Sequence, residues 1–211
     1  MSNTSHQHLF WGPASPLAAL SGGGLLVMAT VRFSYAVIAG AALFWVYCLS
    51  VLIFRAAARI FPRRGTVVCQ TFLASFTAGV FLLLFWMLCH LATLEMFFIV
   101  SLVPLFCVSS GIFRRISDFD ISESLTRAWS EAAVMVVLML AFALLREPLG
   151  LLSLSVPGGA QGIIFIFSAD IEKLLPIRLI AGSAGALILL GYGAGLYRYF
   201  RNINAPRETG I

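Results

Sequence analysis

Four cysteines and three histidines are the side chains of this sequence whose types could do chemistry. Cys48, Cys69, Cys89 and Cys107 all lie in apolar runs and none forms a C-x-x-C pair, so their spacing does not describe a disulfide framework. Cys107 stands apart. It sits in "VSLVPLFCVSSGIFRR" (100–115), where Pro104, Ser109, Ser110 and Gly111 interrupt an apolar segment. A distorted backbone there would aim a thiolate inward, yet iron–sulfur clusters take four cysteines and one such residue per chain does not supply them. The other reading is a small buried hydrophobe. His90, beside Cys89, lacks the two further ligands a structural metal site needs, and His6 and His8 belong to a polar N-terminal stretch. Phosphate-binding glycine loops, H-E-x-x-H and a Ser–His–Asp set are absent.

The elements that must position these residues are membrane segments. The chain of 211 residues is 60% hydrophobic and 11% charged, with a mean hydropathy of +0.97, whereas a soluble domain carries about a quarter charged residues. Several runs reach the roughly 20 apolar residues that cross a bilayer as helix, and 66–94 contains no charge. Six segments are expected, at about 17–31, 36–54, 66–90, 96–113, 132–145 and 179–197. The start of the chain has no basic n-region of a cleaved signal peptide.

Charge distribution orients them. With a cytoplasmic N-terminus, Arg55, Arg59, Arg63, Arg64, Arg114, Arg115, Arg127, Arg198, Arg201 and Arg207 fall inside, and Arg32, Arg146, Lys173 and Arg178 outside. That asymmetry predicts both termini cytoplasmic. It also accounts for the net charge of +5 without nucleic acid as a partner. Glu95, Glu147, Asp170 and Glu172 fall at or beyond the outer edge, which leaves no carboxylate relay through the bilayer and weighs against a self-sufficient pump. Asp120 and Glu123 resemble a capping box, and Glu123, Arg127 and Glu131 fall on one helix face as a solvated lead-in to the fifth segment. The apolar stretch 146–176 reads as re-entrant or interfacial.

The first and fourth segments carry breaks at corresponding places in the two halves, "SGGG" (21–24) and Pro104 with "SSG" (109–111). Interrupted helices so placed point to a site near the midplane; close helix packing by small residues is the equal alternative.

Three passages carry a resemblance: "FALLREPLGLLSLSVPGG" (142–159), "FFIVSLVPLFCVSSGIFRR" (97–115) and "LFWGPASPLAALSGGGLLVMAT" (9–30). They resemble, respectively, the Leu-Arg-Glu-x-x-Gly-x-Gly-Thr-Leu passage, the Pro-Leu-Ile-x-x-Asn-Cys passage and the Leu-Trp-x-Asn-Asn opening of one membrane-subunit family. It is the family shared by the Rnf electron-transport complex and the sodium-pumping NADH:quinone oxidoreductase, and the nearest branch is Rnf E/Nqr D. Segment order agrees over nearly the whole chain.

The resemblance implies an all-α membrane protein, with six transmembrane helices as two inverted three-helix repeats and broken first and fourth helices. It implies an inner (cytoplasmic) membrane location and lipid contact. The partners would be a sister six-helix subunit and flavin or iron–sulfur subunits, and the role at most that of an electron-relay or non-catalytic subunit of an ion-translocating oxidoreductase. In the family, two sister subunits share an intramembrane [2Fe–2S] cluster. Here Gly24 and Ser110 stand where the cysteines would fall, and Cys107 lies three residues before the second position. The family's glycines are missing from 132–145, and Arg127 replaces an expected acid. Gly22, Gly23, Gly24, Pro104, Cys107, Ser109 and Ser110 would line the subunit interface. Arg146 and Glu147 would organise the outer end of the fifth helix, with Gly150 permitting the turn. Without the family's redox work, the same features describe a stand-alone small-solute transporter or channel, or a cluster-free structural subunit. Arg146 and Glu147 would then be an interfacial snorkelling pair.

Overall fold

The computed structural model describes residues 20–56, 66–111, 113, 120–158, 162–168 and 178–204. In chain order these form α1 (Leu20–Ala29), α2 (Phe33–Ala56), α3 (Thr66–Leu88), α4 (His90–Ser109), α5 (Ile121–Leu151), β1 (Ser153–Pro157), β2 (Ile163–Ser168), α6 (Arg178–Ala181) and α7 (Ser183–Asn204). Among the described residues, α2, α3, α4 and α5 are long and apolar enough to cross a membrane. At 1.5 Å per residue, α2, α3 and α4 reach about 30–36 Å, which matches a hydrocarbon core of about 30 Å. The protein is a multi-pass membrane protein. In lipid no water competes for backbone groups, so apolar runs of this length settle as helices that satisfy their own N–H and C=O groups.

Helix α2 is the axis of the bundle. It packs against α3, α4, α5 and β1. Contacts along it fix the direction of each neighbour. Ser50 and Thr77 hydroxyls meet at 2.8 Å, and Trp45 lies near Phe81, so α3 runs antiparallel. Tyr35 meets Glu95 and Tyr47 meets Ser110, so α4 runs parallel to α2. The edge-on contact of Phe44 with Trp129 and the bond between Phe33 and Glu147 make α5 antiparallel. One end of the bundle thus gathers the start of α2, the α3–α4 reversal, the end of α5 and the β-hairpin. We call it the hairpin end. The α2–α5 seam is made close by small residues: Ala36 and Gly40 on α2, and Ala132 and Ala143 on α5, are buried on the faces that carry the Gly40–Val136 contact. In lipid, where apolar burial drives helices together only weakly, such close backbone approach supplies the packing. Helix α3 has the opposite character: 22% of its apolar window is buried, and Val68, Phe72, Leu83 and Met87 project outward toward lipid.

Several expectations are corrected. The protein is not all-α, because within the stretch read as re-entrant or interfacial 153–157 and 163–168 pair as an antiparallel hairpin. The fourth segment begins at His90, six residues before position 96. The chain reverses at Cys89 alone (φ −148, ψ 72), and 92–95 is helical. Nor is that segment broken at Pro104, through which α4 continues to Ser109; the helix is interrupted only at Ser110 and Gly111 (φ 70), after which 113 is helical again. The fifth helix is longer than 132–145. It starts at Ile121, where the Asp120 carboxylate accepts from the Ile121 N–H at 2.8 Å, and ends at Leu151. Its first turns form the expected polar lead-in, with an exposed Arg127–Glu123 pair at 3.1 Å. The sixth segment is divided at Gly182 into α6 and α7. The first is present as α1, helical from the first described residue, Leu20, to Ala29; 17–19 lie outside the described residues, as do His6, His8 and Lys173.

Gly40 marks the tightest point of the α2–α5 seam, where an added Cβ would meet the Val136 side chain at 3.1 Å. Gly40→Ala should cost little, since a valine side chain can shift. Gly40→Leu should destabilise by about 1–3 kcal/mol through overpacking, and thermal unfolding in detergent measures both.

Candidate functional site

The hairpin end holds the densest polar construction among the described residues, and its centre is Arg146. The side chain is 0% exposed, as is that of Glu147. All five guanidinium N–H groups are used. Nε donates to the Ile180 carbonyl at 2.9 Å, one Nη to the Val27 carbonyl at 2.9 Å and Thr30 Oγ1 at 2.7 Å, and the other to the Ala181 and Gly182 carbonyls at 2.8 and 3.0 Å. These acceptors belong to helix ends, where the last carbonyls have no partner within the helix. At the end of α1, Thr30 covers the Leu26 carbonyl with its own N–H and hydroxyl, and Arg146 takes Val27. At the α6–α7 break it takes three successive carbonyls. Positive charge is favourable at a helix C-terminus, and a planar fork with five donors fits this cage where an ammonium would not.

Glu147 acts on the opposite kind of helix end. Its Oε2 accepts from the Phe33 N–H, the first of α2, at 2.6 Å. The next N–H, of Ser34, reaches Ser155 Oγ at 3.4 Å, and the two hydroxyls lie 3.0 Å apart. Helix α2 opens after Arg32, which is a poor N-cap residue. Its caps are supplied instead by α5 and β1, more than a hundred residues away in sequence. One dipeptide therefore closes the end of α1 with a cation and the start of α2 with an anion, and so staples the chain reversal at 30–32.

Gly150 serves this arrangement by proximity. A Cβ there would lie 2.8 Å from the Ala181 amide nitrogen and 3.0 Å from its Cα. Its hydrogen is what lets the α6 backbone approach close enough for Arg146 to reach. The turn expected of it is made two residues later by Leu152, in the left-handed region (φ 51, ψ 31), whose N–H bonds the Pro148 carbonyl at 3.1 Å. At the same end, Arg32 lies near the rings of Tyr35 and Phe165, at 5.6 and 5.5 Å from their centroids, and the Tyr35 hydroxyl donates to Glu95 at 2.9 Å.

The remaining expected residues fall elsewhere. Gly22, Gly23 and Gly24 lie in α1, and Gly24 is exposed with open space around it. Pro104, Cys107 and Ser110 share the inward face of α4, while Ser109 points outward. Ser110 sits toward the end opposite the hairpin, receiving the Tyr47 hydroxyl at 2.8 Å and donating to the Cys107 carbonyl at 2.8 Å. The structure does not join this group to Arg146, Glu147 and Gly150. Sequence reading missed Thr30, Ser34, Ser155 and Tyr47; only the Leu-Ser-Leu-Ser-Val alternation at 152–156, which is a strand signal, could have pointed to Ser155.

These side chains do not fit a cluster shared between subunits. Such a cluster needs its sulfurs at a subunit surface, but Cys107 is 0% exposed within the core of one subunit. Ser110 is committed to hydrogen bonds and Gly24 offers no donor. Among the described residues no group of three His, Cys, Asp or Glu side chains is placed to hold a metal ion. A groove of about 680 Å³ between α3 and α4, lined by Phe76, Gly79, Leu83, Trp86, Leu94 and Phe97 among others, is open on the lipid side and apolar.

No known family, curated protein or solved structure matches the chain.

Arg146→Met should lower stability by about 3 kcal/mol or more, because several buried carbonyls lose their donors at once. Arg146→Lys should recover only part of this. Glu147→Gln, which keeps an acceptor for Phe33, should cost about 1–2 kcal/mol. Thermal unfolding of the purified variants tests this order. A Cys107→Ala variant should lose about 1 kcal/mol, as a core truncation does, and leave the iron content of membrane-purified protein unchanged by elemental analysis.

Proposed function

We propose that the chain is an integral-membrane scaffold subunit of a redox-driven, ion-translocating electron-transport assembly of the Rnf/Nqr kind, shaping its central membrane interface without holding a cluster through Cys107. One observation carries the reading. The Arg146-Glu147-Pro148-Leu149-Gly150 passage, on which the resemblance chiefly rests, supplies the cage that holds α1, α2 and α6 together. Helix α1 ends inside that cage, and the half-helix expected of the first position belongs to this proposal. The inverted pairing of α1–α3 with α4, α5 and α7 belongs to the same proposal, as do a sister six-helix subunit and flavin or iron–sulfur partners.

Orientation follows from charge. Arg55 and Arg127 lie at the end opposite the hairpin, next to 57–65 and 114–119, which carry five further arginines. Placing that end in the cytoplasm satisfies the positive-inside rule. The chain then sits in the inner membrane with both termini cytoplasmic and the hairpin on the outer face.

Affinity purification from native membranes in mild detergent, with mass spectrometry of the co-purifying chains, tests the proposal. A sister polytopic subunit together with flavin or iron–sulfur proteins is the expected result. Recovery of the chain alone, or only as copies of itself, rejects the assembly and leaves the stand-alone solute-transport reading to uptake assays.

A further inference from the structure

The β-hairpin is built as no water-exposed hairpin is. Strand β2 reads Ile-Ile-Phe-Ile-Phe before Ser168, and Ile164, Phe165, Ile166 and Phe167 are 41, 49, 65 and 59% exposed. They point to both faces of the sheet. Phe165 pairs with Ser155 and Phe167 with Leu154, and the register shift between these pairs leaves Ile166 as an unpaired bulge. A strand with water on one side alternates polar and apolar residues, and exposed edges in water are blunted by charge or proline. Residues 163–167 have neither.

The hairpin's position says what surrounds it. It leaves α5 with one intervening residue, Leu152, so no spacer lifts it from the end of a membrane span. Ser155 contacts Ser34 in the first turn of α2, which sets β1 at the level where that span begins. The side chains at the end of α5, Leu144, Leu145 and Leu149, are exposed and apolar, as are those of β2. Arg32, stacked on Phe165, and the Tyr35–Glu95 pair mark the polar boundary at the same level. The outer edge of β2 has backbone groups that no second strand pairs among the described residues. Hydrocarbon does not tolerate such an edge, but the headgroup region, with its water and esters, does.

We propose that this hairpin is an interfacial membrane anchor. It lies in the plane of the leaflet at the hairpin end, with Ile164, Ile166 and Phe167 at the boundary of headgroups and acyl chains and Arg32 at the phosphate level. The occupant of its apolar surface is phospholipid. This stands whether or not the redox-assembly reading does.

The test uses the unmodified purified chain in vesicles of phosphatidylcholine with phosphatidylglycerol, photolabelled by a phosphatidylcholine carrying a diazirine near the headgroup end of its acyl chain. Labelled residues are mapped by mass spectrometry, beside a parallel sample treated with a water-soluble diazirine. Residues 163–167 should take the lipid label at a yield comparable to Phe72 and Leu83 on α3, while Ser122 and Thr126 in the polar first turns of α5 take only the water-soluble one. Two results overturn the proposal. Labelling of 163–167 by the water-soluble reagent alone puts the hairpin in water. Protection from both reagents, lost on dilution of protein into excess lipid, means that a second copy of the chain covers it. Ile166→Asp, at the unpaired bulge where the sheet loses no partner, should reduce lipid labelling of Phe165 and Phe167; unchanged labelling there also counts against the anchor.

Discussion

A guanidinium withdrawn from water must find an acceptor for every N–H, and meeting that demand at Arg146 organises one whole end of this protein. Burying an ion costs several kcal/mol even after the structure relaxes, so the cage is tolerable only because it is complete. Helix ends are the natural source of so many acceptors, since each leaves carbonyls with no partner of its own. The end of α1 and the α6–α7 break converge on Arg146 for that reason. Glu147 extends the same logic to the amide end of α2, so two neighbouring residues of α5 settle helix ends of both polarities.

Other features follow from this one. For Arg146 to reach the carbonyls of 180–182, α6 must lie against α5 at backbone distance, which requires a residue without Cβ at position 150. Glu147 and Ser155 hold the first turn of α2 jointly, so β1 must begin directly after α5. The left-handed turn at Leu152 achieves this despite a cost of about 1–2 kcal/mol for an L-residue there. A turn that glycine would make more easily is thus held by leucine.

What could be read in the sequence was what depends on local pattern. Long uncharged runs located the four spans, and Asp120 with Glu123 foretold the start of α5. Arg146, Glu147 and Gly150 could be singled out only through the resemblance of the passage 142–159 to a known family. Their partners could not be read: Val27, Thr30 and Phe33 lie 114–119 residues away, and backbone carbonyls leave no trace in residue type. Pro104 misled because breaker rules come from helices in water. In a membrane the helix persists, since the carbonyl that proline leaves unpaired has no solvent to turn to. Glu95, a charge in an apolar stretch, is carried on α4 and met there by the Tyr35 hydroxyl, while the chain reversal occurs at Cys89. The hairpin was hidden by its own composition, because a strand immersed in an apolar setting loses the alternation by which strands are recognised.

The completeness of the cage also limits what this end of the molecule does. A cation that binds a substrate anion needs a free N–H, and Arg146 has none. A proton relay needs a group that changes its charge without losing the structure, yet Glu147 carries the first amide of α2 and its protonation would weaken that cap. Charged residues at the edge of a membrane bundle invite a transport reading, but these two are engaged in holding four elements together. Moving Arg146 would release the end of α1, and moving Glu147 the start of α2. Their geometry is that of a fixed joint, and it is as a fixed joint that α1 is presented to whatever packs against it.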